Sequence, residues 1–322
     1  MRVAVTGATG FVGQRTVEAL RQSGHQVIAL VRQPSSKLSG EVGEGLLQRV
    51  CGDLSTVSDW EPLLEGAEAV IHAAARVHQM KDQSADPLQA FRRANTAPTL
   101  ALARGAQQAG VSRFIFLSSI KVNGESTSST AFTVRSPAQP QDPYGQSKWE
   151  AEQGLAELAV GAGTGNDASE RTTFVSVRSP MVYGPGGKGN VQRLLGLIRR
   201  GIPVPFGSIH NHRTMMAVDN LADLLVYLCE HGSAPAATVL AGDAESPSTA
   251  ELYRALATAQ GRSARILPCP VALLGLAGKV TGRSADIARL TESLQVQTGS
   301  TDPNFQWQPP LTFQQGISRI SG

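Results

Sequence analysis

The opening of the chain restricts its fold more than any other stretch. A short apolar run, Val3 to Val5, breaks into TGATGFVG and resumes as QRTVEALRQSG: a strand, a glycine-rich turn and a helix, with Gly24 placed to cap the helix C-terminus. Gly7, Gly10 and Gly13 are spaced GxxGxxG. Glycines there let the backbone approach a pyrophosphate at the helix N-terminus, where free N–H groups and the helix dipole favour an anion. The turn follows the first strand and opens a helix, which is the context that separates a dinucleotide site from a structural turn. Gly7, Thr9, Gly10, Phe11, Val12 and Gly13 are therefore the candidate cradle.

The second strand, Gln26 to Val31, ends in Val31 and Arg32, where a carboxylate is expected if the cofactor is strictly NAD. An acid there holds the ribose 2′-hydroxyl, whereas an Arg can pair with a 2′-phosphate, so Arg32 favours NADP, with NAD as the alternative. VCGDLS follows, with Asp53 and Leu54 placed for the adenine end. AVIHAAA reads as a buried strand ending in Ala73, Ala74 and Ala75, small enough for a cofactor to lie close, and His72 within it reads as a packed core residue.

Pro87 to Ala109 is a long helical pattern, Arg113 to Ser119 a fifth strand, and Ser126 to Asp142 a loop punctuated by prolines. A helix runs on from Tyr144, Gly161 to Arg171 reads as an exposed linker, and Thr173 to Pro180 as a sixth strand. This alternation implies an α/β fold, a Rossmann-type doubly wound parallel sheet over residues 1–180. Beyond Pro180 a helix from Val191 to Arg200, a short PVPF strand and HRTMMAVDNLADLL suggest a smaller C-terminal substrate lobe. That lobe takes residues 181–211 and 233–322, with 212–232 returning to the first domain. GPGGKGN lacks the four-residue gap of a phosphate loop and the Ser or Thr after Lys188.

The chemistry centres on DPYGQSK. If the residues from Tyr144 onward are helical, Tyr144 and Lys148 lie one turn apart on one face. The ammonium is then expected to lower the phenol's pKa from its usual ~10 towards neutrality. The remaining composition narrows the setting. Net charge is +3 over 322 residues with no basic run, so nucleic acid is not implied. Cys51, Cys229 and Cys269 are far apart, odd in number and without metal spacing, and His210 with His212 is a weak metal signal, so no metal is expected. The N-terminus lacks a signal-peptide core and no apolar run reaches about 18 residues, so a cytoplasmic protein with no membrane partner is expected.

TGATGFVG, Ser119 in SSIKVNG, and Tyr144 with Lys148 together resemble the extended short-chain dehydrogenase/reductase family, in its NAD(P)-dependent nucleotide-sugar epimerase, dehydratase and ketoreductase branch. The resemblance covers nearly the whole chain. It implies Ser119, Tyr144 and Lys148 as catalytic residues, and adds Asn95, Leu117 and Pro180 to those lining the cofactor, beside Asp53 and Ala73. RSPMVYGP, Asn190 and Arg213 resemble the segments that hold a substrate diphosphate. Ser119, Lys121, Met181, Asn190, Phe206 and Arg213 are the implied substrate contacts. Met181 departs from the Asn often found in the sugar pocket, and Val31 with Arg32 departs from the acidic NAD signature.

AARVH, SSIKVNGE and QDPYGQSK are most similar to a bacterial surface-polysaccharide group of UDP-glucose 4-epimerase-like enzymes and UDP-4-keto-6-deoxy-N-acetylhexosamine reductases. A UDP-linked sugar of O-antigen or capsule synthesis is thereby implied as the substrate. A 4,6-dehydratase needs two carboxyl groups where this chain has Ile120 and Lys121, which cannot move those protons. A 4-ketoreductase is expected, because Arg32 suits the NADPH that a one-way reduction draws on. A 4-epimerase is the alternative, and a non-catalytic nucleotide-binding protein on the same fold the third reading. Relatives commonly pair the helices corresponding to Pro87–Ala109 and the helix from Tyr144 across a twofold axis, which implies a homodimer.

Overall fold

The computed structural model describes residues 1–38, 45–77, 86–161, 172–187, 189–232 and 236–320. Its strands are β1 (Arg2–Thr6), β2 (Gln26–Val31), β3 (Leu46–Val50), β4 (Ala69–His72), β5 (Arg113–Ser119), β6 (Thr173–Ser179), β7 (Met181–Tyr183), β8 (Met215–Ala217), β9 (Ala236–Leu240) and β10 (Gly299–Ser300). The helices are α1 (Phe11–Gln22), α2 (Glu61–Leu64), α3 (Pro87–Phe91), α4 (Ala97–Gln108), α5 (Pro143–Gly161), α6 (Asn190–Arg199), α7 (Val218–Glu230), α8 (Thr249–Ala259), α9 (Val271–Val280), α10 (Ser284–Thr291) and α11 (Phe313–Ser318).

Eight strands form one sheet in the order β10-β9-β6-β5-β4-β1-β2-β3, parallel except for the β9–β10 pair. From β1 the chain winds outward to β3, then returns to β4 on the other side of β1. The strand order therefore reverses between β1 and β4, and in sheets of this kind ligands bind beyond the strand C-termini at that reversal. Alternate residues of the strands feed two separate cores. Val3, Val5, Val27 and Ala29 pack under α1 and α7, while Ala4, Ile28, Val70 and Phe116 pack under α4 and α5. A third core, built on α6, α8, α11 and the small β7–β8 sheet, forms the C-terminal lobe.

The division read from the sequence needs correction in two places. β9 pairs with β6 and β10 with β9, so part of the 233–322 stretch completes the main sheet. In the 212–232 stretch, α7 returns to the main sheet, where Leu221, Leu224, Leu225 and Leu228 join its core, whereas β8 pairs with β7 in the lobe. PVPF makes an isolated bridge, Val204 with Ile266, in place of a strand. The Pro87–Ala109 pattern is two helices joined by a π-helical turn at Arg92–Thr96. The linker read at Gly161 to Arg171 lies, after Gly161, outside the described residues, as does Lys188.

Two buried carboxylates join these parts. Asp243 accepts from the Tyr183 hydroxyl at 2.8 Å, from Asn220 Nδ2 at 2.7 Å and from the Ala217 amide, tying the lobe to the start of α7. Glu152 on α5 takes the Arg178 guanidinium of β6, with Nη2 to Oε2 at 2.6 Å, and accepts from Ser118 Oγ of β5 at 2.5 Å. Arg178 Nη1 continues to Asn123 Oδ1 at 3.0 Å. A buried ion pair contributes modestly against hydrophobic alternatives, but its geometry fixes α5 against two adjacent strands.

His72 is fully buried, and its hydrogen bonds define its tautomer. Thr99 Oγ1 donates to the Asn95 carbonyl at 2.7 Å, so its remaining contact, at 3.0 Å, is with a donating His72 Nε2–H. Thr6 Oγ1 accepts from the Ala74 amide and donates to His72 Nδ1 at 2.6 Å. The ring is thus a neutral packed group, as expected from its strand. Burial first, and then the nearby Lys148, pull its pKa from 6.5 down to about 3. Between those values the unfolded chain binds a proton that the folded chain refuses, so stability is lost as pH falls through that window. His72→Asn should flatten that part of the acid-unfolding profile in denaturant titrations at successive pH values; an unchanged slope would contradict it.

Candidate active site

The turn after β1 is built for close backbone approach. Gly7 has φ +67°, and a Cβ on it would lie 2.7 Å from the Ala74 amide nitrogen; one on Gly13 would lie 2.1 Å from the Gly7 carbonyl. Any larger residue would push apart β1, β4 and the start of α1. Gly10 caps α1 with no side-chain hydrogen bond, and the first turn carries no acid. The Phe11, Val12 and Gly13 amides are thus left for an anion. Phe11 also packs against the loop at Gly187, where an added Cβ would meet its ring at 3.1 Å.

A cleft of about 1090 Å³ opens at the strand-order reversal, lined by Gly7, Thr9, Gly10, Arg32, Asp53, Leu54 and Ala73 to Ala75 among others. Nine of the sequence-derived cofactor residues meet there. Hydrogen bonds from the Ser55 amide and then its hydroxyl hold the Asp53 carboxyl below its usual pKa, keeping it charged. Arg32 lies 3.9 Å from Asp53 with its side chain 80% exposed, so that ion pair is loose. Lys37, Arg76 and Arg93 also line the cleft, and the sequence reading passed over all three. The glycine cradle, the unsatisfied helix amides and this cationic rim fit a dinucleotide.

Asn95 stands one layer behind the cleft. Its amide holds both the Arg76 backbone N–H and carbonyl and donates to Ser147 Oγ at 3.1 Å, linking the loop after β4 to α5. These bonds hold the wall of the cleft in place. Leu117 acts through its carbonyl, which accepts from Lys148 Nζ at 2.9 Å.

Tyr144, Ser119 and Lys148 come together as expected. Asp142 accepts from the Gly145 amide at 2.6 Å and so starts α5. Gly145 is needed there, because a Cβ would sit 2.7 Å from the Lys121 carbonyl. That approach brings Tyr144 against the end of β5, close enough to Ser119 for that hydroxyl to favour the phenolate. Lys148, one turn on, is 1% exposed, with Nζ 4.5 Å from the Phe116 ring centre and 5.9 Å from that of Tyr144. The β5–β6 register sets Ser179 opposite Ser119, which carries Pro180 and Met181 to the same place.

The electrostatics differ from the sequence expectation. Burial and then Asp142 push the Tyr144 phenol up to about 12, only partly offset by Ser119. Burial likewise pulls Lys148 down to about 7, against the pull of Glu152. Desolvation of both groups outweighs their mutual attraction, so without a ligand the site favours a neutral phenol. Glu152 was visible in the sequence only as the residue four after Lys148; nothing in the pattern announced its partner Arg178.

The substrate residues divide. Lys121 pairs with Glu125 and Asp142, each at 2.5 Å, and Ile120 beside it is buried. Arg213 donates to the Glu292 carbonyl at 2.9 Å, and burial lowers its pKa while Glu125 and Glu292 oppose that shift. Glu125 thus stands between Lys121 and Arg213. Asn190 is exposed at the start of α6 and Met181 is exposed where β7 begins. Phe206 needs correction: it is 7% exposed and packs edge-on to Tyr253 at 5.8 Å in the lobe core, so its ring fills that core and faces no ligand.

Known proteins match this arrangement. The profile of the NAD dependent epimerase/dehydratase family fits residues 3–241. A UDP-glucose 4-epimerase of Vibrio cholerae is 41% identical over 322 residues, covering 99% of this chain and 94% of its own length. Among solved structures, MoeE5 in complex with UDP-glucuronic acid and NAD superposes with a TM-score of 0.74 at 23% identity, covering 100% of this chain and 98% of that one. A UDP-glucose 4-epimerase from Thermotoga maritima with UDP-glucose gives 0.73 at 20% identity, covering 100% and 97%. At those identities the structures bear on the fold, while the profile and the 41% relative bear on descent, and on both grounds the chain belongs to the NAD-dependent epimerase/dehydratase family.

Proposed function

We propose that this protein exchanges hydride at carbon 4 of a UDP-linked hexose or N-acetylhexosamine and returns it to the opposite face, as a 4-epimerase. The observation that carries the reading is Tyr144 set beside Ser119 and above a buried Lys148, in a chain 41% identical to a UDP-glucose 4-epimerase. The family's dinucleotide supplies the hydride acceptor and donor. Gly7 to Gly13 would hold its pyrophosphate, Asp53 and Leu54 its adenosine, and Lys148 its nicotinamide ribose. A phenol held neutral suits the return step, in which Tyr144 donates its proton to the oxygen at sugar carbon 4 while Ser119 hydrogen-bonds the same oxygen. In the forward step Tyr144 must first lose its own proton to solvent and act as the phenolate that accepts the proton of that hydroxyl, and a protonated Lys148 beneath it is the cation that stabilises this phenolate.

Arg213, beside Glu125 at the lobe boundary, is the cation assigned to the substrate diphosphate, with Met181 near carbon 4 of the sugar. Dehydration is disfavoured because Ile120 is buried and apolar and Lys121 is engaged with two carboxylates. The resemblance to surface-polysaccharide enzymes supports a reading in bacterial envelope sugar synthesis, and three free cysteines suit the cytoplasm. The homodimer reading draws less support: Phe91, Leu102 and Leu155 are spent inside the subunit, and Trp149 lies under the Arg178 guanidinium.

One observation favours a 4-ketoreductase instead. Arg32, loosely held at the end of β2, is free to meet a 2′-phosphate, which suits NADPH. Denaturing the purified protein and identifying the released cofactor separates the two. Bound NAD supports the epimerase, whereas an empty site that takes NADPH supports the reductase. In the second case Arg32→Ala should weaken NADPH relative to NADH by about tenfold, ~1.4 kcal/mol, in fluorescence titrations. Val31 lines the cofactor cleft beside Arg32, so Val31→Asp combined with Arg32→Ala should shift preference further towards NADH. Tyr144→Phe should lower turnover by roughly 10²- to 10⁴-fold and leave cofactor affinity unchanged. Turnover within a few-fold of the parent would remove Tyr144 from the proton step.

A further inference from the structure

The stretch 261–285 is built inside out. α9 turns Leu274 and Gly278 inward, where an added Cβ at 278 would meet Ile287 of α10 at 2.8 Å. Its opposite face carries Leu273, Leu276 and Val280, spaced i, i+3 and i+7, with 57%, 58% and 80% of their surface exposed. Leu267, just before the helix, is likewise exposed. An ordinary surface helix puts polar groups where this one puts its largest apolar side chains, and a contiguous patch of that kind marks a docking surface.

Charge identifies the occupant. The same 25 positions hold Arg262, Arg265, Lys279 and Arg283 and not one Asp or Glu. All four cations are exposed, and Lys279 and Arg283 make no ion pair among the described residues. A second copy of the chain docking on this face about a twofold axis would bring four cations against four, a self-repelling arrangement. An anionic bilayer complements both features. Its headgroups take the Lys and Arg side chains while the Leu and Val stripe enters the acyl boundary, as in helices that lie in the interface plane. At ten residues α9 is about 15 Å long and cannot span, and no described helix is long and apolar enough to cross a membrane.

We propose that α9 and its flanking cations dock this protein peripherally on an anionic phospholipid surface. The expectation of no membrane partner rested on the lack of a spanning segment and did not consider a helix lying flat. This inference is independent of the reaction assigned above.

The test is sedimentation of the purified full chain with vesicles of phosphatidylcholine alone or with about 30% phosphatidylglycerol. Co-sedimentation with the anionic vesicles only, weakening as salt rises, is the expected result. Leu273→Glu with Leu276→Glu should reduce vesicle affinity at least tenfold, and Lys279→Gln with Arg283→Gln by about tenfold, with melting temperatures unchanged. The two pairs act separately, so loss of fold in one leaves the other decisive. Protein that stays in the supernatant with both vesicle types would overturn the proposal, as would binding unaltered in both variants. Light scattering that showed a dimer dissociated by Leu276→Glu would assign the face to a second copy and overturn it equally.

Discussion

A lysine ammonium buried beneath the end of β5 is the constraint on which the site depends. Lys148 Nζ reaches one carbonyl, that of Leu117, and the face of Phe116, with Glu152 one turn further along α5. Burying a charge is costly unless it is paired, and here the pairing is indirect. Glu152 is itself taken by Arg178 and Ser118, so the carboxylate cannot swing to Lys148. The result is a nitrogen pulled down to about 7, able to hold or release a proton in the range where the enzyme must work. The same ion pair fixes α5 to β5 and β6, and thereby fixes Tyr144 against Ser119. Position and proton affinity are set by one group of side chains.

The cofactor end obeys a steric constraint. Gly7 and Gly13 let three backbone segments meet with no side chain between them, which leaves the α1 amides facing the cleft. Asn95, Thr99, His72 and Thr6 then run as a hydrogen-bonded chain from the α5 face of the sheet to β1. This buried chain connects the wall of the cofactor cleft to the catalytic helix. The two halves of the site are therefore held by one polar network through the sheet.

Much of this was legible in the residues. The GxxGxxG turn, the strand–helix alternation and the Tyr144–Lys148 spacing are local patterns, and β1, β2, β5 and β6 lie within a residue of their expected bounds, whereas β4 stops at His72, short of Ala75, and β3 was given no bounds. What depended on long-range packing was hidden. β9 and β10 are short and flank a helical stretch, so nothing in the sequence assigns them to the main sheet instead of the lobe. Phe206 was a substrate contact implied by the family resemblance, and its sequence position gives no sign of the Tyr253 ring it packs against. Arg178 and Glu152 are 26 residues apart, and although Arg178 opens RSPMVYGP nothing there names Glu152 as its partner, so their pairing emerges only when β6 lies beside α5. The phenol's shift went the other way for the same reason, since spacing reveals a neighbouring cation but not the burial that dominates it.

The central claim is that Tyr144, Ser119 and Lys148 serve hydride exchange at one carbon of a nucleotide sugar. Turnover of UDP-glucose carrying deuterium at carbon 4 tests it most directly, with rate and label position followed together. The account predicts a severalfold slower reaction than with unlabelled substrate and a product that keeps its deuterium at carbon 4. Equal rates with the deuterium lost to water would mean that the site removes a proton from that carbon, and would contradict the account.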